Sequence, residues 1–194
     1  GVSGGGREFY GETLHANKPK LTITFPTENV LKDKTMACFV DVAATSSQAT
    51  RIHIDMAGAK ATASIVPISV SDFYTKAERD SVFLSGNAVS TGSQQVTLTF
   101  ENTVSGSTGF LNYVELNVPT ALRMRDNELT ISNVSHLNSN NNTKFLLSNA
   151  TTSTQIWRVT DGVNIEKMST TWNNAGAAYR AEYPSKTFWG RLHR

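Results

Sequence analysis

Lys20-Leu21-Thr22-Ile23-Thr24-Phe25-Pro26 puts Leu21, Ile23 and Phe25 on one side of an extended chain and Thr22 and Thr24 on the other. Side chains alternate across a strand and return every 3.6 residues in a helix, so this spacing predicts a half-buried β-strand. Working outward, the period of two recurs in Met36, Cys38 and Val40, in Ile52, Ile54 and Met56, and through Ala61 to Ile68. A longer connection follows, and Ser71 to Arg79 is the one segment with a helical pattern. Beyond it come Val82 with Leu84, then Val96, Leu98 and Phe100, then Phe110 through Val118. Leu129–Val134, Lys144–Ser148, Gln155–Thr160, Glu166–Trp172 and Ala177–Tyr183 complete the expected strands.

Turn formers separate these runs: Ser85-Gly86-Asn87, Ser105-Gly106-Ser107, Asp126-Asn127 and the stretch Asn138 to Asn142. Many short strands with Gly- and Asn-rich turns and no alternating helices predict an all-β fold, an antiparallel two-sheet β-sandwich, with the jelly roll as one arrangement of it. Residues 1–19 carry Gly4-Gly5-Gly6 and no sustained period, and read as a lead-in. Residues 20–194 read as one sandwich domain with one core.

Composition agrees with strands. Charged residues make up 18% of the 194 positions, against about 25% in a typical globular chain, and Ser, Thr, Asn and Gly take their place. Surface helices draw on Glu, Lys, Arg and Ala, so a helical bundle is disfavoured. The net charge is +2 and the basic residues are scattered. Phosphate backbones are bound by concentrated basic clusters, so nucleic acid is not an expected partner. No apolar run reaches the roughly 20 residues a membrane helix needs. The chain opens on Gly-Val-Ser and not on Met, and reads as a segment of a longer protein.

Catalytic chemistry finds little to stand on. One cysteine, Cys38, excludes an internal disulfide and a cysteine-rich metal site, and its place among Met36-Ala37-Cys38-Phe39-Val40 predicts a buried, inert thiol. His15, His53, His136 and His193 fall into no metal-ligand spacing. His53 shares a polar strand face with Arg51 and Asp55, where a solvated ion-pair cluster is expected. Asp41, Glu101 and Glu115 are carboxylates that strand pairing could bring to a partner. No nucleophile elbow, zinc-protease helix or phosphate loop is present, so no catalytic residue, metal ligand or cofactor is expected. Trp157, inside Ile156-Trp157-Arg158-Val159, is expected as a core anchor. Trp172, beside Asn173-Asn174, is the candidate carbohydrate contact. Three Asn-x-Ser/Thr triplets, at Asn133, Asn141 and Asn149, match the glycosylation pattern without further support.

Three segments carry a family resemblance: Gly6-Arg7-Glu8-Phe9-Tyr10-Gly11-Glu12, then Phe110-Leu111-Asn112-Tyr113-Val114-Glu115-Leu116-Asn117, then Ile156-Trp157-Arg158-Val159-Thr160-Asp161. In order and spacing they resemble the β-rich region preceding the catalytic domain of gingipain-type cysteine peptidases, the sortase-like branch of the type IX secretion system above all. Arg158 stands where that family has an acidic residue, and Pro119-Thr120-Ala121-Leu122 replaces its usual aromatic-x-Arg-x-Leu ending. The resemblance implies a non-catalytic accessory domain of a larger exported protein at the cell surface or outer membrane of a Gram-negative bacterium. That parent would remove the sorting signal of exported cargo and join the cargo to lipopolysaccharide, with its catalytic His and Cys downstream of this chain. The implied partners are the downstream peptidase domain of the same chain, secretion-system components and exported cargo. Phe188, Trp189 and Leu192, set among Lys186, Arg191 and Arg194, are the expected domain interface. A carbohydrate-binding module and a surface adhesion domain are the alternative readings.

Overall fold

The computed structural model describes residues 10–69, 74–102, 104–124, 128–132, 142–159, 164–169, 171–173, 178–184 and 189–193. Every regular element among them is a strand. The chain forms two compact units, Gly1–Thr120 and Ala121–Arg194.

The first unit holds β1 (Thr13–Leu14), β2 (Lys20–Pro26), β3 (Thr35–Thr45), β4 (Thr50–Met56), β5 (Ala59–Ile65), β6 (Glu78–Asn87), β7 (Ser93–Glu101) and β8 (Thr108–Asn117). One sheet runs β1-β8-β3-β6 and the other β2-β7-β4-β5. The partners β1 with β8, β2 with β7, β3 with β6 and β4 with β5 are those of one long hairpin, rolled up so that its arms alternate between two sheets. This is the eight-stranded jelly roll. All of its pairings are antiparallel. The tip of the hairpin is the two-residue turn Ala57-Gly58, with φ of 54° and 83°. Positive φ at both central residues matches the right-handed twist of the flanking strands.

The expected alternation is what closes the sandwich. Met36, Cys38, Val40 and Val42 of one sheet and Ile52, Ile54, Met56, Val96 and Leu98 of the other are buried in one cluster. Each such side chain contributes about 1.5–3 kcal/mol by leaving water, whereas an exposed ion pair contributes about 0–1 kcal/mol, so packing dominates. At Gly109 of β8 there is no room for a side chain between the sheets: an added Cβ would lie 3.1 Å from a Phe100 ring carbon and 3.2 Å from Ile52 Cδ1.

β3 carries one exception to its apolar run. Asp41 is 1% exposed. Its carboxylate accepts from Arg79 Nε at 3.0 and 2.9 Å and pairs with Arg79 Nη2 at 2.7 Å. It also accepts from Asn112 Nδ2 at 3.0 Å. Asn112 is the extra residue of a β-bulge, because Asp41 stands opposite Tyr113 and Val42 opposite Leu111. The bulge thus turns an otherwise unpaired position into a hydrogen-bond donor for a buried charge.

The second unit holds β9 (Glu128–Ser132), β10 (Asn142–Leu147), β11 (Gln155–Val159), β12 (Ile165–Lys167), β13 (Thr171–Asn173), β14 (Ala178–Pro184) and β15 (Trp189–His193). Its sheets run β12-β11-β15-β9 and β10-β14-β13, and Met124, Leu147, Ala150, Ile156 and Met168 form its own buried cluster.

Several expectations change in detail. The helix expected over Ser71–Arg79 does not form in its described part: Tyr74 to Ala77 are irregular and Glu78 opens β6, while Ser71, Asp72 and Phe73 lie outside the described residues. Pairing of Glu78 and Arg79 with Ala44 and Ala43, and the bond from Arg79 to Asp41, override local helix propensity. Glu166–Trp172, expected as one strand, contributes to β12 and β13. Within the expected lead-in, Thr13–Leu14 is strand β1, and Leu14 is fully buried. Where one core over 20–194 is expected, two separate apolar clusters occur.

Replacing Arg79 by Leu leaves Asp41 buried without its cation. Removing one partner of a fully buried pair costs about 3–5 kcal/mol. Because the Arg79 side chain is 47% exposed, the expected loss is smaller, about 2–3 kcal/mol. Urea unfolding measures it, with Lys34→Ala at an exposed pair as the neutral control. Ala57 is a non-glycine residue in the left-handed region, so Ala57→Asn should raise stability by a few tenths to about 1 kcal/mol, read as a higher urea midpoint.

Candidate functional site

Cys38 is fully buried on the inward face of β3, between the partners Leu84 and Leu116. Burial pushes its thiol up to about 11. A nucleophilic cysteine needs the opposite, a depressed value beside a base, so the thiol packs as a small apolar group. Among the described residues no group of three or more His, Cys, Asp or Glu side chains could hold a metal ion.

The outer face of β5, β4 and β7 brings together residues far apart in sequence. His53 Nδ1 lies 3.0 Å from Thr62 Oγ1, and His53 Nε2 lies 3.3 Å from Glu101 Oε2. Arg51 Nη1 reaches the same carboxylate oxygen at 3.4 Å. Hydroxyl, imidazole and carboxylate are in line, which is the connectivity of a nucleophile-base-orienter set. The surroundings do not suit that chemistry. The His53 and Glu101 side chains are 49% and 41% exposed on the outer side of a sheet, where water competes for every proton. Asp55, expected beside Arg51 and His53, instead accepts from the Gly58 amide at 3.2 Å and braces the β4–β5 turn.

The outer face of the first sheet is different in kind. Phe39 of β3 stacks on Tyr113 of β8, with ring centroids 5.7 Å apart and planes at 28°. Phe83 of β6 stands opposite Phe39 in the register and is 66% exposed. Three aromatic residues therefore lie side by side across β6, β3 and β8 on a solvent-facing surface, next to the Asp41–Arg79 pair. The signal for Phe83 was Val82-Phe83-Leu84: three consecutive apolar residues in a strand cannot all face inward.

In the second unit Trp157 is half-buried instead of a core anchor, with Lys167 Nζ 5.9 Å from its ring centroid. Arg158 pairs with Glu166 of the neighbouring strand. Trp172 lies in β13 opposite Tyr179. Trp189 and Leu192 lie in β15, between β11 and β9, with Leu192 opposite Ile156 and Leu129. Phe188 lies outside the described residues, as do His136 and the triplet at Asn133. Asn149 donates from Nδ2 to the Met124 carbonyl at 3.0 Å.

No protein-family profile matches the chain, and no curated protein matches it in sequence. Among solved structures, the crystal structure of dimeric latent PorU from Porphyromonas gingivalis matches 97% of this chain with a TM-score of 0.78 at 16% identity. The chain has the fold of a part of PorU. It spans 18% of the length of that PorU chain, and at this identity the likeness is one of fold. A cycloisomaltooligosaccharide glucanotransferase of Paenibacillus sp., complexed with cycloisomaltoheptaose, matches at 8% identity over 90% of this chain and 40% of that one. Its TM-score of 0.29 is too low for a shared fold.

Two of the three segments that carry the family resemblance meet in space. The Tyr10 ring lies 6.0 Å from that of Phe110, the Gly11 amide donates to the Leu111 carbonyl at 3.1 Å, and the Leu111 amide donates to the Glu12 carbonyl at 2.9 Å. Their next neighbour is Asn112, the bulge residue that holds Asp41. Tyr10, Gly11 and Glu12 thus close the β1–β8 edge beside the bulge.

A thiol reagent at pH 8 should modify native Cys38 about a hundredfold or more slower than the urea-unfolded chain, the factor set by an opening cost of nearly 3 kcal/mol. The thiol value rises from 9.0 to about 11 on folding. Stability from this group is therefore complete below pH 9 and declines as pH climbs toward 11, at a limiting slope of about 1.4 kcal/mol per pH unit. Cys38→Ala should flatten that part of a urea-midpoint profile.

Proposed function

We propose that the chain is a non-catalytic accessory domain of a larger exported protein of the gingipain type, in the sortase-like branch of the type IX secretion system, and that it packs against the catalytic domain of that protein. The observation that carries this reading is the aromatic row Phe83, Phe39 and Tyr113 on the outer face of β6, β3 and β8. A sandwich standing alone in water gains from polar side chains there, as the outer face of β2, β7, β4 and β5 has them: Thr22, Thr24, Thr97, Thr99 and Thr62. Buried aromatic side chains are the anchors of stable interfaces. The resemblance of three sequence segments and the PorU-like fold support a peptidase domain following in the same chain as the proposed partner. Trp189 and Leu192, with Phe188, remain the expected contact from the second unit. The cell surface or outer membrane is the proposed location, with secretion-system components and exported cargo as more distant partners.

The test uses the parent reading frame expressed with and without residues 1–194, and the two parts as separate proteins. Peptidase turnover is expected from the catalytic part and none from residues 1–194 alone. Phe83→Ser with Tyr113→Ser should weaken association of the separate parts by at least about tenfold, since one interface anchor contributes 1–2 kcal/mol or more. Turnover by residues 1–194 alone, or association unchanged by both substitutions, would refute the reading.

A further inference from the structure

The sheet edges of the first unit are not equally protected. An edge strand offers unpaired amides and carbonyls to any other strand, and proteins blunt such edges with charge, proline, short strands or neighbouring segments. β6 carries Glu78, Arg79 and Asp80, and Asp80 Oδ2 accepts the Ser64 amide of the β5 edge at 2.7 Å. β1 has only two residues. β2, the other edge of the second sheet, runs for 7 residues with no charged side chain between Lys20 and Pro26.

The direction of its free backbone groups follows from its pairing. The Phe100 amide donates to the Pro19 carbonyl at 2.8 Å and the Thr27 amide to the Gly92 carbonyl at 3.2 Å, one at each end of the β2–β7 register. Hydrogen-bonded positions alternate along an antiparallel ladder, so Leu21, Ile23 and Phe25 bond to β7. Lys20, Thr22 and Thr24 direct their amides and carbonyls away from the sheet, and no strand among the described residues pairs with them there. The apolar row ends at the same place. Val96, Leu98 and Phe100 of β7 are at most 3% exposed, whereas Leu21, Ile23 and Phe25 of β2 are only half-buried.

This strand complements itself. Set antiparallel to a second copy about a two-fold axis at Ile23, it puts Thr22 opposite Thr24 of the copy, Leu21 opposite Phe25 and Lys20 opposite Pro26. The free amides of Thr22 and Thr24 then meet free carbonyls, and Pro26, which has no amide, has only to accept from Lys20. Threonine pairs and aliphatic-aromatic pairs are favourable across antiparallel strands. In the same register Lys20 of one copy comes diagonal to Glu28 of the other, and the two Lys20 side chains stand at opposite ends, so charge favours the pairing at both ends and opposes it nowhere along the strand. We propose that two copies of this chain pair through β2, joining their second sheets into one continuous sheet with four strands from each copy. The contact uses 7 residues a side, against about 20–30 in a standard interface, so the dimer is weak and reversible, with a dissociation constant on the order of 0.1 mM. The proposal is independent of the accessory role, because β2 edges the second sheet while the aromatic row lies on the outer face of the first.

Sedimentation equilibrium of the 194-residue chain from about 0.01 to about 1 mM is expected to follow a monomer–dimer equilibrium. Thr24→Pro removes an amide that β7 does not use and should weaken the dimer about tenfold or more, as loss of a hydrogen bond on each copy does. Thr24→Lys keeps the backbone amide, sets like charges near the axis and should weaken it as well. A urea midpoint close to the parent's shows that each variant folds. With Cys38→Ala as background, Ile23→Cys should cross-link to its own copy under mild oxidation, since directly opposed residues bring their Cα atoms within disulfide range. Leu21→Cys, which faces Phe25 of the second copy, should not. A chain that stays monomeric to about 1 mM leaves the edge to a strand of another protein or to water, and overturns the proposal. So would a dimer unchanged by both Thr24 substitutions, or one that cross-links through Leu21→Cys and not through Ile23→Cys.

Discussion

A carboxylate lies 1% exposed in the middle of β3, and the guanidinium of Arg79 makes that position tenable. β3 lies inside the β1-β8-β3-β6 sheet, with β6 on one side and β8 on the other. Asp41 binds across both neighbours, taking Arg79 from β6 and the bulge residue Asn112 from β8. A one-residue slip of either strand would carry the donor to the wrong side and leave a buried charge alone, which costs several kcal/mol. The polar cluster thus selects the register in which Met36, Cys38, Val40 and Val42 all point at the second sheet. Burial supplies most of the stability; the ion pair supplies the choice among alternatives.

The rolled hairpin then determines what each surface becomes. Because β4 and β5 form its tip, the Ala57-Gly58 turn comes to the same end of the unit as the β6–β7 connection, and a cleft opens between them. Because β6 ends up at the edge of the other sheet, Phe83 is displayed beside Phe39 and Tyr113. One outer face is a lattice of threonines tied by bonds such as Thr22 Oγ1 to Thr97 Oγ1 at 3.0 Å, fit for water. The other carries the aromatic row of Phe83, Phe39 and Tyr113. His53, Glu101 and Thr62 illustrate the limit of geometry without enclosure: the atoms are in line, yet on an open sheet they form a surface hydrogen-bond chain.

The strands were legible in the sequence because alternation is a local property. Leu21, Ile23 and Phe25 face the core as their spacing required, and Cys38 is buried and inert as its neighbours implied. Asp41 and Glu101 were visible as carboxylates in strands, but Arg79, Arg51 and His53 could not be matched to them from spacing, since those pairings span 38, 50 and 48 residues. Ser71 to Arg79 has a helical period and fails to become a helix where it is described, because strand pairing to β3 outweighs propensities worth a few tenths of a kcal/mol per residue. Trp157 looked like a core anchor from its apolar neighbours, but Ile156 takes the buried face of β11, so alternation leaves Trp157 half-buried on the other face, beside Lys167.

The sequence by itself determined that this chain is built of short antiparallel strands with polar turns, that its cysteine is packed away from solvent, and that familiar catalytic motifs are missing from it. Tertiary structure alone decided the jelly-roll order, the division into two apolar clusters, the partner of Asp41 and the aromatic row. The reason is physical: which side a residue faces follows from its immediate neighbours, whereas which residue it meets depends on closing loops of forty residues and more, and that closure is settled by the whole core at once.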